Sequence, residues 1–137
     1  MSAYINPING DVIITSKFGP RIHPVTKRPS FHNGIDIRAR FTFVLATAGG
    51  IISAIRDNPE NPYGYMVTIK HKYGYSSFYA HLSEFRVKLG QEVIQGDCIG
   101  VSGNSGTMTT AMHLHFGMTC FGIPVNPVNY IPLKGVK

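Results

Sequence analysis

What most limits how this chain can fold is its rhythm: short runs of β-branched and aromatic residues, each stopped within a few positions by Gly, Pro or Asn. DVIITS (11–16) runs into FGP, FTFVLATA (41–48) into Gly49-Gly50, and YMVTIK (65–70) into HKYGY. Such runs, with helix signals scarce, predict a mainly β fold with many turns and antiparallel pairing. Fifteen Gly, nine Pro and no Trp in 137 residues fit that reading. The length suits a single domain over 1–137, able to bury roughly two thirds of its unfolded surface without disulfide staples. Strands are expected at 11–16, 43–47 and 51–55. A hairpin is expected from 65–70 into SSFYAHLS (76–83), turning near Lys72 to Gly74, and two short strands within 86–101 around Gln95-Gly96-Asp97. The apolar stretch 41–55 is shorter than the ~20 residues a membrane helix needs, so no membrane span is expected.

Histidines carry the chemistry. In AMHLHFGMT (111–119) a strand would put His113 and His115 on one face and Leu114 and Phe116 on the other. Half a strand of core explains the leucine and the phenylalanine but not two titratable rings side by side. In FHNGIDI (31–37), His32 and Asp36 stand four apart in an extended segment and share a face. Either motif alone is weak. Together they supply two imidazoles and one carboxylate, a ligand set that suits a catalytic zinc with one position open to water. One histidine of the H-x-H pair would complete that set and leave the other beside the metal, where general-base chemistry needs a free imidazole. His81, in YAHLS, is expected on the face of Ser77 and Tyr79, opposite Phe78 and Ala80.

In chain order, SKFGPRIHP, FHNGIDI, YAHLS and HLHF resemble the lysostaphin-type (LytM-type) zinc metalloendopeptidases, which cut peptide bonds in peptidoglycan. The resemblance runs from about Ser16 to Tyr130 and takes in GQEVIQGDCIGVSGNSG and VNPVNY. It implies a compact antiparallel β-sheet fold whose groove holds one zinc per chain, with His32, Asp36 and His115 as ligands. It also implies that His81 and His113 are the unligated catalytic pair that positions and deprotonates water and stabilises the oxyanion. Two departures bear on the groove wall. Many relatives carry Glu where this chain has Gly117, and their S-T-G-P-H approach reads here as Thr109-Thr110-Ala111-Met112-His113. His23 and His71 match no catalytic motif and are expected to be structural or exposed.

Thirteen Lys and Arg against seven Asp and Glu give a formal charge of +6, which favours an anionic partner. The basic residues are scattered and no nucleic-acid motif accompanies them, so nucleic acid is not expected; the resemblance implies bacterial peptidoglycan as the partner, and a monomer is expected to meet it. No charged and apolar leader follows Met1; action at the cell wall, in the periplasm or outside the cell, then implies a phage lysis or tail protein or a domain of a larger secreted enzyme. Cys98 and Cys120 fit no metal or redox spacing and are expected as buried free thiols. Two other readings compete. A non-catalytic relative that binds the wall or activates another hydrolase would be expected to have lost ligands, and a histidine phosphocarrier of similar β-fold would not need Asp36.

Overall fold

Most of the runs expected to be strands are strands. The computed structural model describes residues 3–106 and 112–132. Along the chain come β1 (Ile14–Ser16), β2 (Gly19–Ile22), β3 (Pro29–His32), β4 (Ile35–Arg38), β5 (Phe43–Leu45), β6 (Gly50–Arg56), β7 (Tyr65–Lys70), β8 (Tyr75–Phe85), β9 (Glu92–Val93), β10 (Cys98–Ser102), β11 (His113–Cys120) and β12 (Ile123–Val125). A 3-10 turn at Pro127–Asn129 is the only helical element among the described residues, and none of their helices is long and apolar enough to cross a membrane. One antiparallel sheet runs β1-β4-β11-β8-β7-β6-β9. β10 joins it at β8 and carries β5, β12 pairs with β11, and β2-β3 form a separate hairpin.

Turn chemistry fixes the connections. Tyr73 and Gly74 both have positive φ, and Tyr75 N–H donates to the Lys72 carbonyl (3.3 Å), closing the β7-β8 hairpin where the sequence placed its turn. The middle of the sheet is set by alternation. Ile35 and Ile37 of β4, and Leu114, Phe116 and Met118 of β11, are buried in the core with Tyr79, Val67, Ile69 and Ile99. Pairing puts Leu114 opposite Ile37, Phe116 opposite Ile35 and His115 opposite Asp36. Slipping β11 by one residue would expose three core side chains at about 2 kcal/mol each, so the apolar face dictates which polar residues meet on the other.

Three expectations need correction. The first strand is shorter than 11–16, beginning at Ile14. HNGIDI is not one extended segment: His32 ends β3 in the small hairpin, Asp36 lies in β4 of the large sheet, and the chain breaks at Asn33-Gly34. Gly34 makes the break possible, because a Cβ there would stand 2.5 Å from the Phe116 carbonyl oxygen. His32 and Asp36 therefore meet across a corner between two sheets and not along one strand face. Cys98 and Cys120 are free, as expected, but half-buried and not fully enclosed.

Candidate active site

Three donor atoms converge on the floor of a groove. His32 Nε2 lies 3.2 Å from Asp36 Oδ1 and 3.1 Å from His115 Nδ1, and His115 Nδ1 lies 2.9 Å from Asp36 Oδ1. All three residues are buried. The outer ring nitrogens settle the tautomers. His32 Nδ1 donates to the Lys17 carbonyl (2.9 Å) and His115 Nε2 donates to Asn33 Oδ1 (3.0 Å). With those protons outside, both inner nitrogens turn lone pairs toward a carboxylate oxygen, and three acceptors in contact repel unless a cation lies between them.

The surroundings favour a metal over a proton as that cation. Burial, above all, pushes the His115 imidazole below its ordinary value, so a proton is disfavoured there. Burial also pushes the Asp36 carboxyl up, but the neighbouring His115, His32 and His113 side chains outweigh it and hold the group well below the usual carboxylate range, so the oxygen facing the two lone pairs is anionic. The edges of the donor triangle, 2.9–3.2 Å, come close to the ~3.3 Å separating tetrahedral ligands that each stand ~2.0–2.1 Å from one zinc. The donor set therefore fits zinc. Arg21 holds the other carboxylate oxygen, with Nη1 3.6 Å from Asp36 Oδ2 and donating to Ser16 Oγ at 2.7 Å.

His113 and His81 adjoin this cluster. His113, on the same β11 face as His115, brings Nε2 to 3.4 Å from Asp36 Oδ1. Its ring meets that of His81 edge-on, with centroids 4.9 Å apart. Strict alternation would have put His81 on the face of Ser77 and Tyr79, as the sequence reading expected, and in the structure that face is the core side. Instead β8 bulges: Tyr65 pairs with Leu82 and Val67 with Tyr79, leaving an extra residue on β8, and His81 takes φ +60°. The bulge turns its ring into the groove while Tyr79 stays buried against Phe116. A left-handed conformation costs a non-glycine residue on the order of 1 kcal/mol, and such strain clusters at functional sites. His81 Nδ1 donates to the Ser105 carbonyl at 2.7 Å, which leaves Nε2 as the basic nitrogen. Burial pushes this imidazole down to about 4, so it is neutral near pH 7 and able to accept a proton.

The cavity over these residues has a volume of about 750 Å3, within the range of substrate pockets. Several groups that build it went unassigned in the sequence. Asn33 orients His115 and donates through Nδ2 to the Tyr63 hydroxyl (3.0 Å), while the Tyr63 ring stacks on His115 with centroids 5.5 Å apart. Asn33 and Arg21 sit inside the motifs HNGID and SKFGPRIHP, where proximity to the ligands was a usable signal. Tyr63, in the NPYG loop, offered none. Gly117 makes room for Phe78, whose ring lies 5.6 Å from that of His115. Thr109, Thr110 and Ala111 lie outside the described residues. His23 accepts at Nδ1 from the Val25 and Thr26 amides, closing the β2-β3 turn. His71 is buried, donating to the Gly49 carbonyl and accepting from Ser77 Oγ, both at 2.8 Å.

This antiparallel fold and its groove are those of a peptidase domain. The sequence pattern of Peptidase family M23 matches residues 30–127, and the chain belongs to that family. It is 41% identical over 122 residues to the peptidoglycan DD-endopeptidase ShyA of Vibrio cholerae serotype O1, covering 88% of this chain and 28% of that protein. It is 40% identical over 117 residues to the DD-carboxypeptidase/endopeptidase Mpg of Neisseria meningitidis serogroup B, covering 85% of this chain and 26% of that protein. Among solved structures it resembles a zinc-containing peptidase from Vibrio cholerae, with TM-score 0.77 and 35% identity, over 91% of this chain and 39% of that one. The chain thus spans between a quarter and a third of the length of these two curated relatives.

Proposed function

We propose that the chain is a zinc endopeptidase that hydrolyses peptide bonds in the cross-links or stem peptides of bacterial peptidoglycan. His32, Asp36 and His115 would hold one zinc, which when bound supplies a Lewis acid for the amide carbonyl and an acidified water. His81 takes the proton from the attacking water at Nε2 and returns it to the leaving amine. The Ser105 carbonyl keeps its other nitrogen protonated and the ring in place. His113, next to both His81 and Asp36, hydrogen-bonds the developing oxyanion. Tyr63 and Phe78 cover His115 and keep water from the outer side of the cluster.

The observation that carries this reading is the buried triangle of lone pairs, with a neutral imidazole beside it. The names of the ShyA and Mpg relatives support the choice of substrate. The formal charge of +6 suits an anionic wall polymer met by a monomer of one domain at the cell wall. A binding protein without activity is the weaker reading, because nothing in it needs three lone pairs brought together with an adjacent base. The test digests purified peptidoglycans of defined chemistry with the zinc-loaded protein and identifies released fragments by mass spectrometry, with chelator-treated protein and Asp36→Ala alongside. New amino termini at one peptide bond, absent from both controls, are expected. Folded, zinc-loaded protein that releases nothing from any wall type would refute the peptidase reading.

A further inference from the structure

The groove carries an unbalanced positive charge. Among the described residues that line it, Asp36 is the only acid, and its two oxygens are already engaged by His32, His115 and Arg21. Arg21 is in turn held by Asp36 and Ser16. Arg38 is different. It ends β4, its residue is exposed, it lines the groove, and no described carboxylate forms an ion pair with it.

Register gives the location. Arg38 stands directly opposite His113, as Asp36 stands opposite His115, so both β4 side chains rise from the groove face. At ~3.3 Å per residue, Arg38 starts about 7 Å from Asp36 along the strand, a distance an extended arginine side chain can span. Its guanidinium can thus reach the region next to the bond that the triangle of donors addresses. A planar fork of N–H donors with no acceptor among the described residues is suited to bidentate recognition of a carboxylate.

We propose that Arg38 is a carboxylate-reading subsite that binds the free carboxylate on the residue adjoining the scissile amide. The inference rests on the peptidase reading and narrows its substrate class. A cross-link through a diamino acid whose acylated amine shares a carbon with a free carboxylate presents that group. A cross-link through the terminal amine of a lysine side chain does not. Cross-links of the first kind, with that carboxylate un-amidated, are the preferred substrates.

The experiment compares two synthetic cross-linked peptides, identical except that the carboxylate beside the acylated amine is free in one and a carboxamide in the other. Zinc-loaded wild type, Arg38→Gln and Arg38→Lys are assayed with both, with zinc content and Tm measured for each protein. A charge-assisted hydrogen-bonded pair in a half-open groove predicts that wild type favours the acid by about ten-fold or more in kcat/KM, mainly through KM. Arg38→Gln should lower kcat/KM for the acid to the value for the amide while zinc stays at one equivalent, and Arg38→Lys should keep part of the preference. Equal cleavage of acid and amide by wild type overturns the subsite alone, as does a preference that survives in Arg38→Gln. Cleavage of neither peptide by the loaded wild type overturns the peptidase reading and the subsite with it.

Discussion

His115 presents Nδ1 to Asp36, 2.9 Å from Oδ1, because Asn33 Oδ1 holds the opposite nitrogen at 3.0 Å. Asn33 is itself held by Tyr63 through a 3.0 Å hydrogen bond. The inward-facing lone pair thus depends on a residue that does not belong to the donor triangle. Outer partners of metal-binding histidines are worth about 10–100-fold in affinity. Asn33→Ala is therefore expected to weaken zinc binding by that factor, read by competition with a chelator of known affinity, whereas Asn33→Asp, which keeps an acceptor, should weaken it less. Wild-type affinity in Asn33→Ala would show that the ring is oriented by packing alone.

The two roles within HLHF should separate. His115→Ala and Asp36→Ala remove donors and are expected to lose zinc, and with it the thermal stabilisation that a ligand binding only the folded state confers. His113→Ala and His81→Ala should keep about one equivalent of zinc and lose roughly 10²–10⁴-fold in kcat, the range for a general acid or base. Because His81 sits at φ +60°, its replacement needs a Tm measurement to exclude a change in the bulge. Full activity in both single variants would rule out this proton-transfer scheme.

Stability of the metal-free protein should fall on the acid side of pH 6.5. His81, His115 and His71 are each held below the ordinary imidazole value, burial being the largest cause in every case. Between their unfolded value of ~6.5 and the folded value, the unfolded chain binds more protons, so acidification favours unfolding. His81 extends that window to about 4. Below it, protonation of Asp36, whose folded value is also depressed, continues the loss. His71 contributes away from the groove, because a neutral ring must accept from Ser77 Oγ, which in turn accepts from the Tyr79 hydroxyl at 2.7 Å. Thermal melts from pH 7.5 to 4.5 should show a falling Tm, with a shallower slope in His71→Gln. A flat profile in wild type would contradict these neutral burials.

Much of this was legible in the sequence, for reasons that differ by residue. The β class followed from punctuated runs, because turn positions need Gly at positive φ and sheet faces need alternation. Of the five candidate site residues, Asp36, His113 and His115 are brought together by register, which Leu114 and Phe116 impose on His113 and His115 from the opposite face. The corner at Asn33-Gly34 was not legible, since four-residue spacing suits a straight strand as well as a break. Nor was the bulge at His81, where alternation predicts the wrong face and only the pairing of β7 with β8 reveals the extra residue. Tyr63 reaches His115 from a loop whose composition says turn and nothing more.

Gly117 and Phe78 should behave as a coupled pair. A Cβ on Gly117 would lie 2.0 Å from Phe78 Cζ, and that ring is half-buried against Tyr63 and His115, so it cannot yield without disturbing the cover over the donor triangle. Overpacking of this kind costs about 1–3 kcal/mol. Gly117→Ala is therefore expected to lower stability by that amount, and Phe78→Ala to lower it by a smaller amount through lost packing. In the double variant the clash is gone, so its loss should fall short of the sum of the two single losses by about 0.5–3 kcal/mol, the coupling expected of residues in contact. Denaturant melts of the four proteins measure this cycle directly. Strict additivity, or a Gly117→Ala protein as stable as wild type, would mean that Phe78 moves freely and that the glycine does not shape this wall of the groove.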